Sequence, residues 1–398
     1  MLGISLNKIR NKLLLVLLLV TLLPTVLIGG YALIFTTDTL RSSSLSVQSS
    51  KVELTSEKVK SQLNQINSDL FYLRDSNDLS LYISALQSSS AHKKRLMLVN
   101  LRNSLRKFAQ QKKSYQQIRF LNTKGLELIR INYKNGRAKN VSDTALQDKS
   151  DTAYFKKAIK LKNGDLYISP LNLNYEHGVV EKPIQPTIRY ATPVFDKLNE
   201  LLGVIVLNVN VQNIMQIMAT ESTKGMQLQF VSPEGFYYFH PDASKTWGSK
   251  HDLNTKINIF TENKGLKDLI KNTSNTANIN TDDDIITYKS ISLNNGKYNL
   301  GTILNVASKS TVFESASNFL YVFLGIILFA LILTFILAIF LSNSISRPLV
   351  SLTSDVDRLS KGDIETPITN KSDDEIGKLS TAIERLRKSM KILMRRAG

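Results

Sequence analysis

The sequence contains no cysteine in its 398 residues, so disulfides, thiolate metal ligands and cysteine nucleophiles are excluded. This absence does not identify a compartment, because a chain without cysteine forms no disulfides even in an oxidising one. The four histidines have no paired spacing, and the acidic residues 282–284 lack the glycine and glutamate of a calcium-binding loop. We therefore expect no metal site and no cofactor.

Catalytic motifs are also missing. No nucleophile–base pair stands out, and no nucleotide-binding, cyclase or kinase phosphoacceptor motif follows the last apolar run. We expect a protein without enzymatic activity of its own, and an enzymatic domain ahead of that run is the weakest alternative.

Acidic residues are few compared with basic ones, 33 against 51, which gives a formal net charge of +18. In a soluble protein this excess would favour nucleic-acid binding. Anionic lipid headgroups and solvated helices explain it more simply, so we expect a membrane and no nucleic acid among the partners. The hydrophobic content of 42% excludes a chain that is disordered by composition.

Two stretches carry no charge at all, residues 13–35 and 319–341. As helices, both are long enough to cross the roughly 30 Å hydrocarbon core of a bilayer. A cleaved signal peptide is the alternative for the first stretch, but no Ala-x-Ala cleavage site follows it. Pro24 lies inside this stretch, where we expect a kink of the kind that lipid-embedded helices accommodate.

The basic residues Lys8, Arg10 and Lys12 precede the first span and should remain in the cytoplasm. Arg347, just after the second span, agrees with this orientation. We therefore expect a multi-pass protein of the inner (plasma) membrane whose large middle region is periplasmic or extracellular. The expected layout is a cytoplasmic N-terminus at 1–12, membrane helices at 13–35 and 319–341, an extracytoplasmic region at 36–318 and a cytoplasmic device at 343–394.

A long stalk helix is expected at residues 39–76, which lack proline and glycine. Its apolar residues follow a heptad spacing, at Val52, Val59, Leu63, Ile66, Leu70 and Leu73. Either this seam packs against the chain's own domain, or the helix continues the first membrane helix and forms part of a dimer interface. The basic run from His92 to Lys113 is typical of a solvated helix face.

The hydrophobic period changes to two after the stalk, which predicts strands. In a distal module at 110–212 they fall at 116–121, 126–133, 165–169, 187–195 and 202–209, with a helix at 151–161. In a proximal module at 225–306 they fall at 226–232, 236–240, 285–292 and 297–305, followed by a short helix at 308–317. The fold class is therefore α+β, with antiparallel sheets.

Several long motifs in this region are distinctive. The segments LQDKSDTAYFKKAIKLKNGDLYISPLNLNYEHG, IRYATPVFD and LLGVIVLNVN resemble the membrane-distal half of a double Cache sensor domain, and VSPEGFYYFHPDASKTWG resembles its proximal half. The resemblance implies a tandem PAS-like fold that holds a small ligand between a sheet and the loops that cross it. The chain departs from the amino-acid-binding signature of better-known receptors of this kind, so no amino acid is inferred as ligand.

Two strand arginines, Arg130 and Arg189, would favour a small anion if both faced one concavity, because guanidinium groups bind carboxylates and phosphates bidentately. Alternatively, either arginine pairs with Glu176 or Asp148 and only holds the long loop that contains His177. The predicted ligand-binding residues are Arg130, Tyr154, Tyr167, Ser169, Asn172, Asn174, Glu176 and Arg189. We expect the proximal module to transmit force, with His240 hydrogen-bonded and Trp247 simply buried.

Residues 343–394 contain two heptad helices joined by a connector of about a dozen residues, which in a dimer would form a parallel four-helix bundle. Lys361–Asp363 ends the first helix, and the segment 372–375 should cap the second. This arrangement resembles a HAMP domain, which implies that motion of a membrane helix becomes a change in bundle packing. The resemblance assigns signal transmission to Pro348, Gly362, Ile364, Ile368, Glu375 and Gly377.

Taken together, these features predict a transmembrane receptor that binds a small extracytoplasmic ligand and signals through its second membrane helix to the HAMP bundle. We expect a homodimer read by a separate cytoplasmic kinase, phosphatase or cyclase, as in chemotaxis or two-component signalling. One alternative is a fragment of a longer chemoreceptor, histidine kinase, cyclase or phosphatase receptor. The other is a non-sensing membrane scaffold or regulatory subunit, which a pocket filled by its own side chains would favour.

Overall fold

A computed structural model describes residues 9–176, 179–223, 225–263, 265–270, 275–369 and 373–397. The chain divides into two compact units, and we describe each by itself. The sensor unit is Arg41–Val312, and the helical unit is Met1–Leu40 together with Phe313–Gly398.

Helix α1 runs without interruption from Ile9 to Arg74 and includes Pro24. Its heptad residues are buried in the hydrophobic core of the sensor unit, from Val52 to Leu73. The stalk helix is therefore continuous with the first apolar run, in agreement with the interpretation that it extends the first membrane helix. Its seam, however, covers the apolar face of the chain's own sheet, so these side chains are not available for a dimer interface.

Two further helices complete this layer, α2 (Asn77–Leu86) and α3 (Ala91–Lys112), and serine N-caps begin both of them. The basic run lies on α3, which buries Leu101, Leu105 and Ala109 and leaves most of its charged side chains at the surface. A solvated helix face is thus the correct interpretation of that run.

The distal module is an antiparallel seven-stranded sheet with the order β3-β2-β1-β9-β8-β4, and β5 also pairs with β8. A separate two-stranded ribbon joins β6 to β7. The strands are β1 Tyr115–Asn122, β2 Glu127–Lys134, β3 Arg137–Asn140, β4 Tyr167–Ile168, β5 Asn172–Leu173, β6 Tyr175–Glu176, β7 Val179–Val180, β8 Pro186–Phe195 and β9 Leu201–Asn210. Helix α4 is Ala153–Ala158, shorter than the expected 151–161, and α5 is Gln212–Glu221.

The two faces of this sheet differ in polarity because polar and apolar residues alternate along its central strands. One face carries Ile118, Ile131 and Leu207 into the core that also contains the buried side chains of α1 and α3. The opposite face is polar over half of its length, and α4 packs on the remainder. The polar half is where a ligand site can form.

The proximal module is a five-stranded antiparallel sheet with the order β11-β10-β14-β13-β12. Its strands are β10 Met226–Val231, β11 Tyr237–Phe239, β12 Ala277–Asn280, β13 Asp284–Leu293 and β14 Tyr298–Ser308, and its helices are α6 Ile259–Glu262, α7 Leu266–Leu269 and α8 Lys309–Val312. The Asn295–Gly296 turn joins β13 to β14 with positive φ at both residues, as that dipeptide predicts.

The helical unit contains α9 (Glu314–Leu341), a π-helical turn (Ser342–Ser346), α10 (Arg347–Ser360) and α11 (Glu375–Ala397). Both α1 and α9 contain a segment long and apolar enough to cross a membrane. Phe329 on α9 is 68% exposed. An apolar side chain exposed to this degree is more stable in contact with lipid than in contact with water. The two helices contact each other where the hydroxyls of Thr21 and Thr334 lie 3.2 Å apart.

Candidate functional site

The polar half of the distal sheet presents its side chains in two adjacent rows, because residues directly opposite each other in antiparallel strands share a face. The first row consists of Asn132 on β2, Gln117 on β1, Asn208 on β9 and Arg189 on β8. The second row begins with Arg130 on β2 and Arg119 opposite it on β1. Both predicted arginines therefore lie on one face.

A single buried carboxylate serves two guanidinium groups in the second row. Glu127 has a side chain with 0% exposure, and its Oε1 accepts a 2.8 Å hydrogen bond from Nε of Arg119. The other oxygen, Oε2, lies 3.3 Å from Nη1 of Arg130 and also accepts from the backbone N–H of Gln147 at 3.0 Å. One negative charge thus faces two positive ones.

The two arginines differ in how completely they are held. Arg119 also donates to Oδ1 of Asn208 at 2.9 Å and to the side-chain oxygen of Gln117. Arg130 is only 10% exposed, yet its Nε has no hydrogen-bond partner within the described part of the chain. Arg119 is therefore a structural arginine, whereas Arg130 retains a buried donor for another molecule.

A cleft of about 330 Å³ opens over this region. Arg130 and Asn132 both line it, and Oδ1 of Asn132 is buried without a partner among the described residues. The wall of the cleft therefore contains one buried hydrogen-bond donor and one buried acceptor without partners among the described residues. Its other lining residues are Lys113, Gln116, Gln117, Tyr133, Lys134, Asn135, Asn174, Glu181, Pro183, Gln185 and Asn210.

Strand β5 connects Arg189 to the cleft. Nη1 and Nη2 of Arg189 donate to Oδ1 of Asn172 at 2.9 Å and to Oδ1 of Asn174 at 3.1 Å. Asn174 in turn donates to Glu181, which Lys134 also contacts at 2.8 Å. Burial alone would raise the pKa of Glu181, but the hydrogen bonds from Lys134 and Asn174 lower it below its ordinary value.

The predicted residues are thus divided between several places. Arg130 and Asn174 line the cleft, and Ser169 accepts a 2.9 Å hydrogen bond from the backbone N–H of Arg189. Tyr154 of α4 and Tyr167 of β4 instead belong to an apolar cluster. Burial there raises the pKa of Tyr167. The side chain of Glu176 and all of His177 lie outside the described residues.

The predicted alternative, an ion pair between Arg130 and Asp148, does not form. Asp148 accepts from the backbone N–H of Ser150 at 2.8 Å, and Arg130 contacts Glu127. Sequence reasoning missed Glu127, Arg119 and Asn208. The signal was available for Arg119, because it alternates with Ile118 and Phe120 along β1 just as Arg130 alternates along β2.

The segment between α10 and α11 contains three of the six residues predicted to transmit a signal, and the other three lie in the two helices themselves. Pro348 lies in the first turn of α10, and Gly362 follows this helix with a φ of +101°. Glu375 begins α11, and the backbone N–H of Gly377 donates to Asp374 at 3.1 Å. These positions fit capping and turn roles, and signal transmission by them stays a prediction.

An ion pair on α11 holds the connector. Arg387 donates from Nε and Nη2 to the carboxylate of Glu384, at 2.8 and 2.7 Å. Glu384 also accepts the backbone N–H of Ile368 at 3.0 Å, and Arg387 donates to the carbonyl of Ile364. The apolar connector pair is thereby fixed through its backbone by two side chains that the sequence did not single out.

No group of three or more His, Asp or Glu side chains in the described ranges is arranged to hold an ion. The chemistry available in the distal cleft is hydrogen bonding and charge, supplied by the guanidinium of Arg130, by neutral amides and by the charged groups of Lys113, Lys134 and Glu181.

Solved structures with similar folds include sensory domains of bacterial receptors. The extracellular domain of vpHK1S-Z8, a protein assigned to the histidine kinases, is 22% identical with a TM-score of 0.57, covering 70% of this chain and 95% of that one. A domain of a protein assigned to the sensory box/GGDEF family, from Vibrio parahaemolyticus, is 22% identical with a TM-score of 0.57, covering 69% and 98%.

A third similar structure is the periplasmic sensory domain of the Campylobacter jejuni chemoreceptor Tlp1, with 16% identity, a TM-score of 0.50 and coverage of 69% and 98%. At these identities the likeness shows the fold alone. No curated protein matches the sequence.

Two family descriptions match the sequence itself. "Bacterial histidine kinase, sensor domain" covers residues 48–303, and "HAMP domain" covers residues 340–391. The first match takes in most of the sensor unit, and the second takes in the connector and its flanking helices. The chain therefore belongs to the family of bacterial histidine kinase sensor domains and carries a HAMP domain after it, so it is a receptor of the bacterial signalling type.

Proposed function

We propose that this receptor binds a small anion in the distal cleft and passes a conformational change through α9 to the HAMP domain. A separate cytoplasmic signalling protein would then read the HAMP packing. The observation that carries the anion is Arg130, whose buried Nε has no partner among the described residues and whose nearest carboxylate is shared with Arg119. A carboxylate or phosphate oxygen would complete its hydrogen bonds.

The ligand would also need a hydrogen-bond donor. Oδ1 of Asn132 is buried beside Arg130 without a partner among the described residues, so a ligand carrying only acceptors would leave it unsatisfied. A hydroxy acid, or a sugar phosphate that retains a free hydroxyl, has both groups. The neutral lining amides Gln116, Gln185 and Asn210 can contact the remaining polar atoms of such a molecule.

The test is a thermal-shift screen of the full chain in detergent micelles, with small carboxylates, phosphates, neutral sugars and inorganic cations as probes. A stabilising anion should bind Arg130→Gln about 10- to 100-fold more weakly, the range for one charged hydrogen-bonding group. Arg137→Gln is the matched control, because Arg137 is exposed on the neighbouring β3. Stabilisation by sugars or cations alone would reject the proposal.

The exposed apolar residues of α11, in the HAMP domain, support a homodimer. Leu379 and Leu386 are 49% and 56% exposed on α11, although both belong to its apolar heptad stripe. A second copy of the chain would bury them in a four-helix bundle.

The proposed orientation can be tested by labelling, because the chain has no cysteine of its own. Leu198 is exposed between β8 and β9, and Ser354 is exposed on α10. A membrane-impermeant maleimide applied to cells with a permeabilised outer envelope should label Leu198→Cys and leave Ser354→Cys unlabelled. Labelling of Ser354→Cys alone would show that the orientation is the opposite of the proposed one.

A further inference from the structure

The proximal module has a cleft of its own, with a volume of about 690 Å³. This volume lies within the range of small-molecule sites, about 300 to 1,000 Å³. The cleft lies between the end of β10, the start of β11, the loop that contains Trp247 and Asp252, and residues 170–172 of the distal module. Its composition differs from that of the distal cleft, because aromatic rings rather than amides dominate its floor.

Tyr238 and Trp247 form this floor. Both are nearly buried, at 6% and 5% exposure, and their ring centroids lie 5.6 Å apart. Phe230 supports Tyr238 from the core side in an edge-on contact at 5.2 Å. The rings are therefore held in place by the sheet beneath them, and they offer a rigid surface on which a flat molecule can stack.

The backbone of the loop is held in an uncommon conformation around the cleft. Trp247, Asn254 and Lys256 all line it, and all have φ near +60°, at +61°, +55° and +64°. This region is unfavourable for a bulky residue such as tryptophan. Hydrogen bonds hold it there, since the N–H of Trp247 donates to Tyr237 at 2.8 Å and its carbonyl accepts from Leu253 at 2.9 Å. Strain maintained in this way is typical of binding sites.

The charges around the cleft indicate which ligand it accepts. Lys250, Lys256 and Glu234 are exposed at its rim, where water solvates them. The carboxylate of Asp252 is already used, because it accepts the N–H of Leu173 and the hydroxyl of Ser249, both at 2.7 Å. No charged side chain belongs to the described floor. We propose that the cleft binds a second ligand, a planar, uncharged molecule that carries an aromatic or heteroaromatic ring.

Trp247 is the only tryptophan of the chain, so its fluorescence reports directly on this cleft. The experiment titrates the full chain in detergent micelles with three probes and follows tryptophan emission. Benzamide is planar and uncharged, benzoate is planar and anionic, and cyclohexanecarboxamide is uncharged but not planar. Benzamide should give a saturable change in emission, and the other two should bind about three- to tenfold more weakly because they lack either neutrality or ring stacking.

Two matched variants separate binding from general effects on emission. Thr261→Phe fills the mouth of the cleft, since Thr261 is an exposed lining residue, and it should abolish the saturable change. Thr220→Phe makes the same substitution on the exposed face of α5, and Arg130→Gln alters only the distal cleft. Both should titrate like the unaltered chain.

A change with benzamide that never saturates, or one that persists in Thr261→Phe, would overturn the proposal. Tighter binding of benzoate than of benzamide would also overturn it, because the ligand class would be wrong. Loss of the response in Arg130→Gln would show that the probe binds in the distal cleft instead.

Discussion

At the scale of single residues, Glu127 determines how much positive charge the distal cleft retains. Its carboxylate is fully buried and contacts both Arg119 and Arg130. A buried charge pair contributes little net stability, but removal of one partner leaves the other uncompensated in a poorly solvated site. Glu127 should therefore contribute to the stability of the sensor unit even though it does not touch the proposed ligand.

Glu127→Gln should destabilise the sensor unit by about 3–5 kcal/mol, because two guanidinium groups would lose their common counter-charge. Urea unfolding of the full chain, followed by Trp247 emission, measures the change. Glu181→Gln is the control, because Glu181 pairs with the exposed Lys134 and should cost at most about 1 kcal/mol. Equal midpoints for the two variants would contradict this account of the charge balance.

The pattern of alternation along β2 predicted that Arg130 and Asn132 share one face, and in the structure Ile129 and Ile131 are buried on the other side. The partner of Arg130 could not be predicted. Glu127 reaches the arginines because a bulge between Phe120 and Leu121 shifts the register of β1 against β2. A bulge depends on how two strands meet, which a single strand's sequence does not encode.

At the scale of elements, the short strand β5 lies between the two modules. Asn172 and Asn174 accept hydrogen bonds from Arg189 on the distal side. The residue between them, Leu173, donates its N–H to Asp252 of the proximal loop. This short segment therefore contacts elements of both modules.

The connector of the HAMP domain depends on Glu384 in a similar way. The hydrogen bond from Arg387 lowers the pKa of Glu384 to about 2, and the backbone N–H of Ile368 acts in the same direction. Because this folded-state pKa lies below the ordinary value of 4.5, the stabilisation is present above pH 4.5 and disappears as the pH falls towards 2. The connector should therefore be held throughout the physiological range.

Glu384→Gln should release the connector at neutral pH, because it removes the charge that Arg387 and Ile368 contact. Hydrogen exchange of the Ile368 amide should become about tenfold faster, the effect of losing one charged hydrogen bond. Asp357→Asn breaks a solvent-exposed pair with Lys361 and serves as the control. Unchanged protection in Glu384→Gln would show that packing alone holds this segment.

Element boundaries show where periodicity is informative. The strands of the central sheet were predicted within a few residues, because each has several alternating positions. The edge strands β3 and β12 were missed, since they are short and largely exposed. The stalk was predicted as a helix, but its seam could not reveal whether it faced a second copy or the chain's own sheet.

At the scale of the whole molecule, the proposed signalling would require the membrane helices to move relative to each other. Within the helical unit, α1 and α9 meet at Thr21 and Thr334, whose hydroxyls lie 3.2 Å apart. Both hydroxyls also contact their own helix backbone, Thr21 at the carbonyl of Leu17 and Thr334 at that of Ala330. The contact between the helices thus includes a polar link amid apolar side chains, and a hydroxyl contact of this kind is weak enough to break during a transition.

Locking this contact should abolish transmission. Thr21→Cys with Thr334→Cys places two thiols where the hydroxyls meet, close enough for a disulfide, and the absence of other cysteines makes this the only possible bond within one chain. In the oxidised variant, a stabilising anion should no longer change hydrogen exchange of the Ile368 amide, whereas reduction should restore the change. Non-reducing gels separate a bond within one chain from one between two copies, and each single-cysteine variant serves as a control. If the oxidised, internally bonded chain still passes the ligand's effect to Ile368, relative motion of α1 and α9 is not how the signal crosses the membrane.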